Sequence, residues 1–292
     1  MIRILGAKRV LVLVFLLALN IAGTVQQFAY VGVVLVADVP LGEMARGLLV
    51  PQFTLDRDHA MALVAIFGTT ISPYLFFWQA GQEVEEQHRR HIKPLHVSPR
   101  KAAGAELRRI RLDTLVGMGF SHIVALCIVI ATAATLHANG VREIESAAQA
   151  AEALRPIAGN LAFALFALGI IGTGLLAVPV LAGSAAYAVS ETFGWTEGLN
   201  RKPREAKAFY GVIVLATAGG IGLNFIGIDP MKALYWAAVV NGLLAPPLMV
   251  VTMLIGSNPK AMGKLVISRR LKAIGWLATT VMWLIAGVFL LA

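Results

Sequence analysis

The stretch GTTISPYLFFWQAGQEVEE, Gly68 to Glu86, decides how the whole chain is read. It opens as an apolar run of membrane type, meets a proline at position 73, and continues into glutamines and the carboxylates Glu83, Glu85 and Glu86. In hydrocarbon every backbone N–H and C=O must find a partner. Pro73 removes one donor and disfavours helix at Ser72. The hydroxyls of Thr69, Thr70 and Ser72 compete for backbone groups. The pattern predicts one half-helix from Ala60 to about Ile71 and a second from Tyr74 onward. The unwound joint between them would expose carbonyls at mid-membrane. Such a joint survives only where it is buried in protein or lines a water-filled site. Discontinuous helices at the midplane are how many secondary transporters build an ion site.

The second half carries a polar stripe. Ser72, Gln79, Gln82, Glu83 and Glu86 share one helical face, with Leu75, Phe76 and Trp78 opposite. One reading is an aqueous path from the break toward the cytoplasm. The other is a kinked span whose end reaches the interface, where Glu83, Glu85 and Glu86 are solvated and partly neutralise Arg89 and Arg90.

The rest of the chain has the same character. Of its 292 residues 58% are hydrophobic and 14% charged, and the mean hydropathy is +0.76. A soluble domain of this length needs more polar surface, so the expected class is an all-α polytopic membrane protein in one membrane domain, 1–292. At about 20 residues per crossing, seven spans are expected: 10–37, 60–80, 113–137, 157–189, 208–228, 231–255 and 271–291. Basic residues cluster at the N-terminus and in every second connection, notably 87–112, which reads as a polar connector. By the positive-inside rule the N-terminus is cytoplasmic and the C-terminus external. The net charge of +9 is explained by topology and implies no nucleic-acid partner. The opening MIRILGAKRVLVLVFLLALNIAG resembles a signal peptide, but the apolar run resumes after Gln27, which favours a retained helix. The glycines and Pro179 within 157–189 suggest a tilted or kinked helix.

Other polar positions are weaker candidates. Asp113 opens its span as a first-turn acid favoured by the helix dipole. His122 is either a proton relay or a satisfied core histidine. Asn241 is either an ion ligand through its amide oxygen or a pin between helices. Asn224 reads as a turn cap. His88, His91 and His96 sit among cations that oppose metal binding. The single cysteine, Cys127, allows no disulfide within the chain. No motif for soluble enzyme chemistry is present, so no catalytic residue or cofactor is expected.

At this point the chain resembles a known family. GTTISPYLFFWQA is similar to the sixth-span motif of the natural resistance-associated macrophage protein (NRAMP) divalent metal transporters, roughly G-A-V-I-M-P-H-N-L-Y-L-H-S. GIIGTGLLAVPVLAGSAAYAVSETFGW and YWAAVVNGLLAPPLMVVTMLIGSNPKAMG resemble the eighth and tenth spans. The resemblance implies a LeuT-like inverted-repeat fold and proton-coupled uptake of a divalent metal ion, in a bacterial inner membrane. It puts Thr69 where a backbone carbonyl contacts the ion, Ser72 on the methionine ligand, Tyr74 on the histidine after the proline, and Gln79 on the second histidine. The tenth-span glutamine falls on Ala238, one turn from Asn241.

The departures matter. Serine is a hard oxygen ligand where the family has a soft thioether, which favours Mn²⁺ or Mg²⁺ over Fe²⁺. Loss of both histidines puts the usual proton path in doubt. The family's first-span D-P-G-N motif has no counterpart. The seven spans match the fifth to eleventh of the family: 10–37 as the last helix of the first repeat, 60–255 as the second five-helix repeat, and 271–291 as an extra span. The chain then reads as a fragment, a mis-called gene start or a degenerate copy, and poor transport is expected. A LeuT-like carrier of small organic solutes and a non-transporting membrane subunit are the alternatives; a protein partner is unknown.

Overall fold

The computed structural model describes residues 7–36, 42, 46, 57–93, 95, 97, 100–141 and 143–291, and these are helical or in turns, with no strand. The longer helices are α1 (Ala7–Val36), α2 (Arg57–Thr70), α3 (Pro73–Arg89), α4 (Arg100–Thr135), α5 (Ala162–Phe193), α6 (Lys207–Leu223), α7 (Pro230–Ser257) and α8 (Arg269–Leu291). The boundaries follow local chemistry. Pro73 and Pro230 occupy first-turn positions, where a missing N–H costs nothing. Asp229 caps α7 by accepting from the amides of Met231 (2.8 Å) and Lys232 (3.4 Å).

Five helical stretches are long and apolar enough to cross a membrane: His59–Arg89, Ala103–Asn139, Ala147–Phe193, Pro230–Ser257 and Arg269–Leu291. The chain is a polytopic helical membrane protein. Two of the seven expected spans look different here. The expected crossing 208–228 ends early, as the 17-residue α6. At 1.5 Å per residue α6 is about 26 Å long, against about 30 Å of hydrocarbon. Asn224 closes it by donating to the carbonyl of Ile221, and Gly227 then takes a φ of 75°. In the expected crossing 10–37, the described apolar stretch is Ile21–Val36, within the 30-residue α1.

The connector expected over 87–112 is also corrected. α3 runs to Arg89 and α4 starts at Arg100. The segment RKAAGAELRRIRL holds no proline and mostly strong helix formers, so its polarity does not prevent helix. With 36 residues, α4 is about 54 Å long and overruns the bilayer. His96 lies outside the described residues.

The chain divides into two compact units. The first comprises 1–52 and 112–180. Its core gathers Tyr30 and Val33 of α1, Ala131 and Leu136, and Ala153, Leu154 and Ala162. Here α1 lies so close to α5 that a Cβ at Gly169 would stand 1.7 Å from the side-chain oxygen of Gln26. Along α4, Leu112, Leu115, Val116, Ile123 and Val129 are exposed, an apolar face suited to lipid.

The second unit comprises 53–111 and 181–292. In it α2, α7 and α8 pack together through Val64, Ala65, Ala238, Val239, Ile285 and Phe289. Lipid tails are as apolar as leucine, so close approach of backbones drives such association. A Cβ on Gly68 would lie 2.0 Å from the carbonyl oxygen of Ala238, and one on Gly242 would lie 2.2 Å from that of Val64. A second cluster joins Ala186 and Tyr187 of α5, Ala206 just before α6, Phe209 of α6, and Trp78 of α3.

Candidate functional site

The joint between α2 and α3 is two residues long, Ile71 and Ser72. Ile71 still donates its amide to the carbonyl of Phe67 at 2.7 Å. Ser72 is extended, with φ −83° and ψ 120°, and Pro73 then starts α3. Pro73 has no N–H, so the Thr69 carbonyl loses the donor that an unbroken helix would supply. Ser72 is buried, 2% exposed, and its hydroxyl must therefore pair. It turns backward rather than capping α3. Its oxygen lies 2.9 Å from the carbonyl oxygen of Gly68 and 3.1 Å from that of Thr69. One hydroxyl hydrogen serves two carbonyls, so one of them is always short of a donor. Thr69 and Thr70 both point their hydroxyls at the carbonyl of Ile66, at 2.8 and 3.0 Å. The joint thus concentrates neutral oxygens at the C-terminal, negative end of the α2 dipole. That chemistry suits a hard cation.

α3 presents two faces. Tyr74, Trp78, Gly81, Gln82 and Glu85 repeat at helical spacing and meet the last turns of α5. Ser184 donates to the Tyr74 carbonyl. A Cβ at Gly183 would lie 2.6 Å from the Trp78 ring, and one at Gly81 would lie 3.0 Å from the Tyr187 ring. Gln82 donates to the Tyr187 hydroxyl at 3.1 Å. Tyr187 donates to Glu85. Glu85 also accepts from the amides of Leu199 (2.7 Å) and Asn200 (3.2 Å). The other face holds Gln79, Glu83 and Glu86. Glu83 pairs with Arg109 at 2.8 Å, and Arg109 with Glu106 at 2.7 Å. Glu86 pairs with Arg89 and, at 3.9 Å, with Arg90. These carboxylates neutralise local arginines, and Gln79 is exposed.

Asn241 is half-buried on α7, beside the Gly242 that meets α2. His122 and Asp113 are both exposed on α4. Nine positions, two and a half turns, put them on opposite faces of the helix, and His122 Nδ1 lies 2.6 Å from the Met118 carbonyl oxygen. Among the described residues no three His, Cys, Asp or Glu side chains gather at metal-binding distance. A cavity of about 740 Å³ opens at the far end of α3, lined by Glu85, His88, Tyr187, Glu191, Glu197 and Arg201 among others. One carboxylate oxygen of Glu197 is buried there without a hydrogen-bond partner. Burial raises the pKa of Glu197, and Glu191 and Glu85 raise it further. Sequence reasoning missed the role of Glu85. Its spacing from Tyr74, Trp78 and Gly81 was the available signal.

The sequence pattern of the family described as natural resistance-associated macrophage protein-like matches residues 4–292. The chain belongs to this family. Among NRAMP relatives, a "Divalent metal cation transporter MntH" of Klebsiella pneumoniae subsp. pneumoniae is 27% identical over 270 residues, covering 90% of this chain and 59% of the relative. A protein of the same name from Klebsiella pneumoniae strain 342 is 26% identical over the same shares. One from Vibrio campbellii is 29% identical over 134 residues, 46% of this chain and 29% of the relative. The NRAMP chain therefore spans a little over half the length of the first two curated relatives.

Proposed function

We propose that this chain serves the transport of divalent metal cations across a membrane, and that the ion meets it at the α2–α3 break. The observation that carries the reading is the buried Ser72 hydroxyl shared between the Gly68 and Thr69 carbonyls, in the segment that resembles the family's ligand motif. The family match and the relatives named as divalent metal cation transporters support it. On this reading Thr69 offers a carbonyl and Ser72 a hydroxyl oxygen. Tyr74 and Asn241 are the next candidates, by position. An all-oxygen set favours Mn²⁺ or Mg²⁺ over a softer ion such as Fe²⁺.

The proposed site is weak in charge. Glu83, the first carboxylate along α3, lies three turns from Ser72, about 16 Å at helical rise, and is paired with Arg109. Neutral oxygens alone repay little of the cost of dehydrating a divalent ion. Low affinity in the isolated chain follows. Coupling to protons, a bacterial inner-membrane location, a cytoplasmic N-terminus and the assignment of 60–255 to one five-helix repeat belong to the same proposal.

The test is quenching of a metal-sensitive fluorophore inside proteoliposomes containing the purified chain. Mn²⁺ or Fe²⁺ is added with and without an excess of amino acids, and the parent is compared with Ser72→Ala and Ser72→Met. The reading expects weak quenching that amino acids leave unchanged, that falls further in Ser72→Ala, and that shifts toward Fe²⁺ in Ser72→Met. Competition by amino acids would make the chain an organic-solute carrier, and equal signals from all variants would remove the ion from the break.

A further inference from the structure

We propose that Glu85 and Tyr187 form a latch that positions α3, and with it Ser72 and Tyr74, for ion binding; the proposal rests on the break being the ion site. A half-helix that begins at a break lacks the continuous hydrogen bonding that would hold its direction. Something else must set it. On the α5-facing side of α3 that support is concentrated at Tyr187. This ring is 1% exposed. It makes edge contacts with Phe209 at 4.9 Å and Trp78 at 6.2 Å between ring centroids. Its hydroxyl receives Gln82 at 3.1 Å and gives its own hydrogen to Glu85.

Glu85 extends the grip. Its carboxylate takes the amides of Leu199 and Asn200, at 2.7 and 3.2 Å, from the turn that follows α5. The turn is shaped for this. Gly198 has φ 125°, and a Cβ there would lie 2.9 Å from a Glu85 oxygen. An uncharged or shorter side chain at 85 would surrender charge-assisted bonds, which are about twice as strong as neutral ones. The two residues thus act through the backbone, from four turns away, and are positioning residues rather than ligands.

The experiment uses the full chain in lipid nanodiscs, with Tyr187→Phe, Glu85→Gln and Ser72→Ala. Tyr187→Phe keeps the ring and its packing and removes only the hydroxyl. Amide hydrogen exchange is followed over 198–201 and over 73–89, and Mn²⁺ binding is titrated by calorimetry. The latch predicts exchange about tenfold faster over both segments in Tyr187→Phe and Glu85→Gln, as the loss of a hydrogen bond to a charged group implies, with Mn²⁺ affinity falling about threefold or more. Faster exchange confined to 198–201, with α3 and Mn²⁺ binding unmoved, would reduce the pair to a turn clasp and overturn the proposal. Mn²⁺ binding that ignores Ser72→Ala would instead overturn the break as ion site, and the positioning role with it. Sensitivity to Ser72→Ala without sensitivity to the latch variants would sink the latch alone.

Discussion

Gly68→Ala tests the geometry that brings the break against α7. A Cβ at position 68 would lie 2.0 Å from the Ala238 carbonyl oxygen, 2.5 Å from the Gly242 nitrogen and 2.9 Å from the Gly242 Cα. All three are backbone atoms in a helix, so no rotamer change can clear them. Ordinary contact begins at 3.4 Å. The closest pair must therefore separate by about 1.4 Å, which moves one helix axis or bends α2 just before the joint. Over-packing of a core costs about 1–3 kcal/mol where side chains yield, and a rigid obstruction puts this site at about 3 kcal/mol. Gly219→Ala on α6 is the control, because nothing lies within 4 Å of a Cβ there and helix propensity favours alanine by about 1 kcal/mol. Thermal unfolding in one detergent, read by retained monodisperse elution, should put Gly68→Ala well below the parent and Gly219→Ala at or above it. Gly242→Ala forces the same two helices apart, because a Cβ there would lie 2.2 Å from the Val64 carbonyl oxygen, so the double variant should cost less than the sum of the two. Equal stability of Gly68→Ala and Gly219→Ala would refute the close crossing.

Ser72→Ala removes the donor shared by two carbonyls and should cost about 1 kcal/mol of stability, whereas Thr69→Ala, on an exposed hydroxyl bonded back to Ile66, should cost under about 0.5 kcal/mol; the same unfolding assay separates them. Glu197→Gln addresses the carboxyl that burial pushes upward. A carboxyl with a raised folded-state pKa favours the fold when protonated, and that advantage is lost as pH rises through the folded value. Unfolding temperature should thus exceed the parent's at pH 8 and match it at pH 4, and a constant difference at both pH values would exclude titration of Glu197. Arg109→Ala breaks the pairs to Glu83 and Glu106, but Glu106 keeps Arg90 at 3.0 Å. Half-exposed pairs are worth about 0–1 kcal/mol, so the loss should be at most about 1 kcal/mol and should shrink in 0.5 M salt.

Helix breaks were legible because proline acts locally. Its missing N–H and its effect on the preceding residue need no tertiary knowledge, and the structure interrupts the helix at Ile71 and Ser72. The long apolar runs were legible for the same reason: bilayer thickness fixes length. The ends of helices were less so. Segment 100–112 reads as a basic connector by charge, but charge does not stop a helix, and nothing in it breaks one. Segment 208–228 reads as a crossing by hydropathy, but its last turn is decided by Asn224 and by the positive φ at Gly227. The partners of α3 were hidden because they come from far along the chain. Tyr187, Leu199 and Asn200 lie 102, 114 and 115 positions from Glu85.

The polar stripe also carries partners that the sequence did not show. Read alone, Gln79, Glu83 and Glu86 look like a wetted track leading away from the break. Glu83 and Glu86 are instead ion-paired to Arg109, Arg89 and Arg90. An ion moving along that face would have to compete with guanidinium groups for each carboxylate and would meet their positive charge on the way. The face packed on α5 binds through neutral groups and one carboxylate, Glu85, whose acceptors are already engaged by Tyr187, Leu199 and Asn200. Glu85 thus ties one face of α3 to Tyr187 of α5 and to the turn that follows α5, and the Glu83–Arg109 pair ties the other face to α4.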